Sequence, residues 1–166
     1  QKKRKGKTMP LVGVILGSKS DQSLLQGTLE TLNRLNIDYE DKVISAHRNP
    51  EKAKLYAEGA RDRGIEVIIA AAGGAAALPG VMASWTTLPV IGIPLPTSDL
   101  NGIDALYSIV QMPPGIPVGT LAIGSAGSKN AGLLAAAILS VSNQEIESKL
   151  KDYRKKQSDK VRKDPL

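Results

Sequence analysis

Cysteine is absent from the 166 residues. That removes disulfides, thiolate nucleophiles and Cys-ligated zinc or iron–sulfur sites together, and suits a reducing, cytoplasmic compartment. Phenylalanine is absent as well, and the aromatics are Tyr39, Tyr56, Trp85, Tyr107 and Tyr153. Chemistry that needs stacked rings therefore has few candidates. His47 is the single histidine, so a multi-histidine metal site within one chain is excluded. No apolar run approaches the ~18 residues of a membrane span, and no apolar stretch follows the basic leader as a secretory signal would require. There is no Asn-x-Ser/Thr glycosylation site.

What is there is one domain's worth of chain, 42% hydrophobic, with a core of Ala, Ile, Leu and Val and 16 glycines. The net charge of +6 is not a property of the body: residues 1–7 carry five positive charges, and residues 149–166 carry eight positive and three negative. Residues 8–148 hold nine Lys/Arg against thirteen Asp/Glu. A phosphate-backbone surface needs its basic patch on the folded body, so neither nucleic acid nor membrane is expected as a partner. The division expected is a flexible basic leader over 1–10, an α/β domain over 11–142, and a charged helix and tail over 143–166.

Leu11–Leu16 reads as a buried strand, and Leu25, Leu29 and Leu32 follow at helical spacing. A second strand is predicted over Tyr39–Ile44, then a helix capped by Asn49 with Pro50 in its first turn and Ala53, Ala57 and Ala60 on its buried face. Glu66–Ala70, Pro89–Ile93 and Val118–Ile123 are further strands; Ile103–Val110 and Ala131–Leu139 are helices. Ser142-x-x-Glu145 reads as the capping box of a terminal helix whose apolar stripe is Ile146, Leu150 and Tyr153. Short Val/Ile runs alternating with helices predict a three-layer α/β/α sandwich around a doubly wound parallel sheet of flavodoxin-like order. The Ala-rich segments 70–83 and 131–139, with the terminal helix, are expected at subunit interfaces or in intrachain packing.

In such a sheet, ligands bind beyond the carboxyl ends of the strands, where strand order reverses. The loops after the first three strands carry the polar chemistry. In Gly17–Asp21, Gly17 permits a sharp turn while Ser18, Ser20 and Asp21 offer hydroxyls and a carboxylate; the segment also reads as a plain helix cap. Ser45–Asn49 holds His47, whose ordinary pKa is near neutrality, beside Arg48, a phosphate-binding side chain ahead of a helix. Gly73-Gly74 can aim backbone N–H groups at an anion, or can serve close chain packing. Neither a dinucleotide fingerprint nor a Walker A loop is present, no phospho-acceptor Asp ends the third strand, and no aromatics flank the loops for a flavin.

Four separated motifs stand in order: Gly17-Ser-Lys-Ser-Asp21, Ser45-Ala-His-Arg48, Gly73-Gly-Ala-Ala-x-Leu-Pro-Gly80 and Tyr107-Ser-Ile-Val-Gln-Met-Pro-x-Gly-Ile-Pro117. Over Leu11–Leu139 the chain resembles the N5-carboxyaminoimidazole ribonucleotide mutase (AIR carboxylase) family of purine biosynthesis. The resemblance implies an octamer with sites between subunits, no metal, nucleotide or flavin cofactor, and transfer of a carboxylate to ring carbon four of an aminoimidazole ribonucleotide through CO2. It implies His47 as general acid and base. It also implies ribonucleotide binding by Gly17, Ser18, Ser20 and Asp21, by Ser45, Ala46 and Arg48, and by Ala72, Gly73, Gly74, Ala75 and Leu78. Two positions depart from the family pattern: Ala77 stands where a second histidine is usual, and Ala71 where glycine is. With that imidazole missing, the family's implications stay open between mutase, CO2-exchanging carboxylase or decarboxylase, and a relative that binds a ribonucleotide without turnover.

Overall fold

The computed structural model describes residues 9–162; most of the expected leader and the last four residues lie outside the described part. Five parallel strands, β1 (Val12–Leu16), β2 (Tyr39–Val43), β3 (Val67–Gly73), β4 (Val90–Leu95) and β5 (Gly119–Thr120), form one sheet in the order β2-β1-β3-β4-β5. Alternate residues of each central strand face opposite layers, as the two-residue period of a strand requires. Val12, Val14, Leu16, Val67, Ile69, Ala71, Ile91, Ile93 and Leu95 belong to one core cluster, while Ile15, Ile68, Ala70, Ala72 and Val90 belong to the other. Burying an Ile or Leu side chain contributes about 1.5–3 kcal/mol, and the central strands have almost no exposed side to lose.

The first layer holds α1 (Gln26–Arg34), α5 (Gly124–Ser140) and α6 (Gln144–Arg162); the second holds α2 (Pro50–Glu58), α3 (Leu78–Ser84) and α4 (Ile103–Val110). The fold expected from the sequence is the fold observed. Asn49 caps α2 as expected, its side-chain oxygen accepting from Lys52 N at 3.0 Å with Pro50 in the first turn. Ala53, Ala57 and Ala60 are fully buried.

Several local expectations need correction. The terminal helix is capped by Asn143 rather than Ser142: Asn143 Oδ1 accepts from both Glu145 N and Ile146 N at 3.1 Å. The expected strand over Val118–Ile123 shortens to Gly119–Thr120, because the chain turns away into α5, which begins at Gly124 rather than Ala131. Residues 19–25 form a 3-10 segment before α1. The helix α3 sits inside the glycine-alanine stretch that reads as a ligand loop, and β3 runs on to Gly73. Within the Ala-rich segments, Ala70, Ala71, Ala131, Ala135 and Ala136 are fully buried in the chain, while Ala75 and Leu134 are exposed. The terminal helix lays Ile146, Leu150 and Tyr153 into the core beside α5.

Candidate active site

Strand order reverses at β1, whose successor β2 lies on one side and β3 on the other. The loops leaving β1, β2, β3 and β4 meet above that point and enclose a cavity of about 180 Å³. From the sequence-selected residues it collects Gly17, Ser18, Asp21, Ser45, Ala46, His47, Ala72, Gly73 and Leu78, with the departing Ala77 in the same wall. Four loops far apart in sequence thus form one site, as the topology requires.

The first loop is held by its own side chains. Ser18 caps the 3-10 segment, its Oγ accepting from Ser20 N at 3.3 Å and lying 2.8 Å from Ser20 Oγ. Ser20 Oγ in turn donates to Asp21 Oδ1 at 2.8 Å. Ser20 is therefore not a lining residue but the strut between two that are. The second loop is organised by Ser45, whose Oγ accepts from Arg48 Nε at 3.1 Å and from Arg48 N at 3.4 Å. Arg48 does not line the cavity; it is exposed beside it, with Nε engaged by Ser45 and no hydrogen bond from its terminal nitrogens among those of the described residues. His47 sits between them, exposed on one side and lining the cavity on the other.

The third loop turns tightly after β3. Ala76 N donates to Gly73 O at 3.1 Å, Gly74 has φ of 59° and Ala76 has φ of 42°. A positive φ at alanine costs about 1–2 kcal/mol, and such strain concentrates at functional loops. Ala75 points outward, its carbonyl accepting from Ser108 Oγ at 2.5 Å, and neither Ala75 nor Gly74 lines the cavity. Ala71 is fully buried in β3, away from the cavity wall.

Two lining residues escaped the sequence reading. Ala76 gives no signal, since nothing in an alanine run marks which member takes the left-handed conformation. Thr97 comes from the loop after β4, which carries none of the four motifs. The Ser98 side chain nearby holds the Asp104 carboxyl, in the first turn of α4, below the ordinary range, against an opposing effect of burial.

Fold and site define a class: a doubly wound α/β protein with a compact polar cavity at its switch point, suited to a small anionic ligand beside one imidazole. The AIR carboxylase family matches residues 11–160, and the chain belongs to that family. It is 58% identical over 146 residues to an N5-carboxyaminoimidazole ribonucleotide mutase of Pyrococcus abyssi, covering 88% of this chain and 83% of that one. It is 57% identical over 145 residues to the mutase of Bacillus subtilis, covering 87% and 90%. A crystal structure of Treponema denticola PurE superposes with a TM-score of 0.82 at 30% identity, covering 92% of this chain and 94% of that one.

Proposed function

We propose that the protein is a purine-biosynthesis enzyme that moves a carboxylate from the exocyclic nitrogen of N5-carboxyaminoimidazole ribonucleotide to ring carbon four, acting in the cytoplasm as a homo-octamer. The observation that carries this reading is the placement of the only histidine on the same 180 Å³ cavity as Ser18, Asp21, Ser45 and Gly73. Ser18, Asp21, Ser45 and Arg48 hold the ribose and 5′-phosphate, which sets the imidazole ring of the substrate against His47.

The chemistry balances without an outside reagent. The N–C bond of the carbamate breaks, the nitrogen gains a proton and CO2 is released. Ring carbon four, enamine-like, attacks the CO2 and forms the new carbon–carbon bond. The proton left on that carbon is then removed, and His47 serves as both the acid and the base. Free CO2 must not escape between the two steps, which suits a small cavity walled by Gly73 and the methyl groups of Ala46, Ala72, Ala76 and Ala77. An apolar stripe on α4, Ile103, Tyr107 and Val110 at 51%, 64% and 49% exposure, supports assembly with further copies.

A second reading rests on Ala77, a half-buried methyl in the cavity wall. With no imidazole there to hold the carboxylate, the enzyme exchanges CO2 with the medium, carboxylating aminoimidazole ribonucleotide or decarboxylating the product. Supplying the N5-carboxylated substrate, the uncarboxylated ribonucleotide with bicarbonate, and the carbon-carboxylated product separately, under ultraviolet detection, decides between the two. The mutase reading expects the first to convert fastest and Ala77→His to change that little. Fast conversion of the second or third alone, shifted toward the first by Ala77→His, establishes exchange. No turnover of any of the three leaves a ribonucleotide-binding protein.

A further inference from the structure

We infer that the Thr97 hydroxyl is a positioning group that donates a hydrogen bond to the carboxylate on ring carbon four, an inference that rests on the carboxylate-transfer reading above.

Gly73 at the end of β3 is paired in register with Leu95 at the end of β4. Beyond Leu95 the strand does not run on. Pro96 restricts the backbone, and Thr97 N donates to Leu95 O at 3.0 Å, folding the chain back on itself. The fold-back lays the Thr97 side chain over Gly73: a Cβ at Gly73 would overlap Thr97 Oγ1 and come within 3.0 Å of Thr97 Cβ. Gly73 is bare, then, to admit this hydroxyl as well as a ligand. The arrangement is fixed from behind, because Ser98 Oγ accepts from Leu100 N at 3.2 Å and Asn101 N donates to Ser98 O at 3.0 Å. The loop therefore holds Thr97, an exposed residue, at the mouth of the cavity, which it helps to line.

The other polar side chains of the cavity stand on the β1 and β2 loops, where the ribose and phosphate are placed. Ser18 is tied to Ser20, Ser45 accepts from Arg48, and Asp21 carries an acceptor-only carboxylate bonded by Ser20. His47 must remain free to carry a proton. Thr97 is the neutral donor left on the β3–β4 side of the cavity, the side that also carries Ala77 and Leu78. A carboxylate seated there receives a charge-assisted hydrogen bond worth about 10–100-fold in affinity.

Calorimetric binding and turnover of the intact protein and its Thr97→Val and Thr97→Ser variants, with folding checked by circular dichroism, test the inference. Thr97→Val is expected to weaken the carbon-carboxylated ribonucleotide by about 10–100-fold, while the uncarboxylated ribonucleotide binds as in the parent. Thr97→Ser is expected to recover most of the loss. Three results overturn the assignment: undiminished binding of the carboxylated ligand by Thr97→Val, equal losses for both ligands, or a serine variant as weak as valine, which would reduce Thr97 to methyl packing on Gly73. A parent that binds the ligands but turns over none of them removes the carboxylate-transfer reading alone, since the binding comparison still decides Thr97. A parent that binds neither ligand overturns both.

Discussion

Tyr56 buries its phenol against Gly13, where an added Cβ would overlap the hydroxyl, and that hydroxyl has no hydrogen-bond partner. The Arg63 guanidinium lies 4.5 Å above the ring and donates to Glu40 Oε1 at 3.2 Å and to the Tyr56 carbonyl at 3.1 Å. Burial first, and the Glu40 carboxylate second, push ionisation of the phenol well above its ordinary value of 10.0, against a smaller pull from Arg63. A folded-state pKa raised above the unfolded one contributes stability below the unfolded value, and that contribution fades as pH rises past it. Tyr56→Phe is accordingly expected to be neutral or slightly stabilising at pH 7, since a buried unpartnered hydroxyl is removed. Thermal melts of the two proteins should separate above pH ~10, with the parent falling more steeply. Parallel curves to pH ~11 would show that the phenol ionises equally in both states.

Between elements, the seam that joins α1 to α5 explains what the sequence conceals. Ser128 of α5 accepts the backbone N–H of Thr28 at 3.0 Å, a first-turn donor of α1 with no partner in its own helix, and Thr28 Oγ1 donates to the Ser128 carbonyl at 2.6 Å. Gly132 lies so close to α1 that a Cβ there would stand 2.8 Å from Thr31 Cβ. Ser128→Ala strands the Thr28 N–H in the core and is expected to cost about 1–3 kcal/mol in denaturant unfolding. A loss below ~0.5 kcal/mol would mean that water replaces the serine. The same seam is why α5 begins earlier than expected. Gly124–Asn130 packs through small and polar residues, so it carries no 3.6-residue apolar period, whereas Ala131–Leu139 does. In β1, β3 and β4 the apolar runs announce both the strands and their two-sided burial, because a strand covered on both faces needs nothing else. The capping error at Ser142 has a similar cause: Ser142 and Asn143 are both good caps, and only the turn decides which faces the helix. The cavity was legible wherever a residue type is chemically distinctive, as at His47, Asp21 and Gly73. Thr97 and Ala76 were not, since their roles come from a fold-back after β4 and from a left-handed alanine.

On the scale of the whole molecule, apolar surface stands uncovered in two places, one beside the cavity loops and one at the opposite end of the sheet. Leu100, Ile103, Tyr107 and Val110 run as a stripe along and just before α4, each at least 49% exposed. At the amino end of β4, away from the cavity, a groove of about 890 Å³ is lined by Trp85, Leu88, Pro89, Ile116 and Leu134. Such surfaces on a small chain suit burial between copies. Light scattering is expected to give an octamer; a monomer at micromolar concentration would contradict the assembly. Among the described residues no helix is long and apolar enough to cross a membrane.

The central chemical claim is that one imidazole moves the proton at ring carbon four. It is tested most directly by following conversion of N5-carboxyaminoimidazole ribonucleotide by the intact protein and by His47→Asn, with ribonucleotide binding and circular dichroism as controls. Turnover is expected to fall by at least about 100-fold, the lower end of a proton-transfer contribution, with binding and fold retained. Turnover within about threefold of the parent would contradict the claim, because it would place the proton transfer on another group.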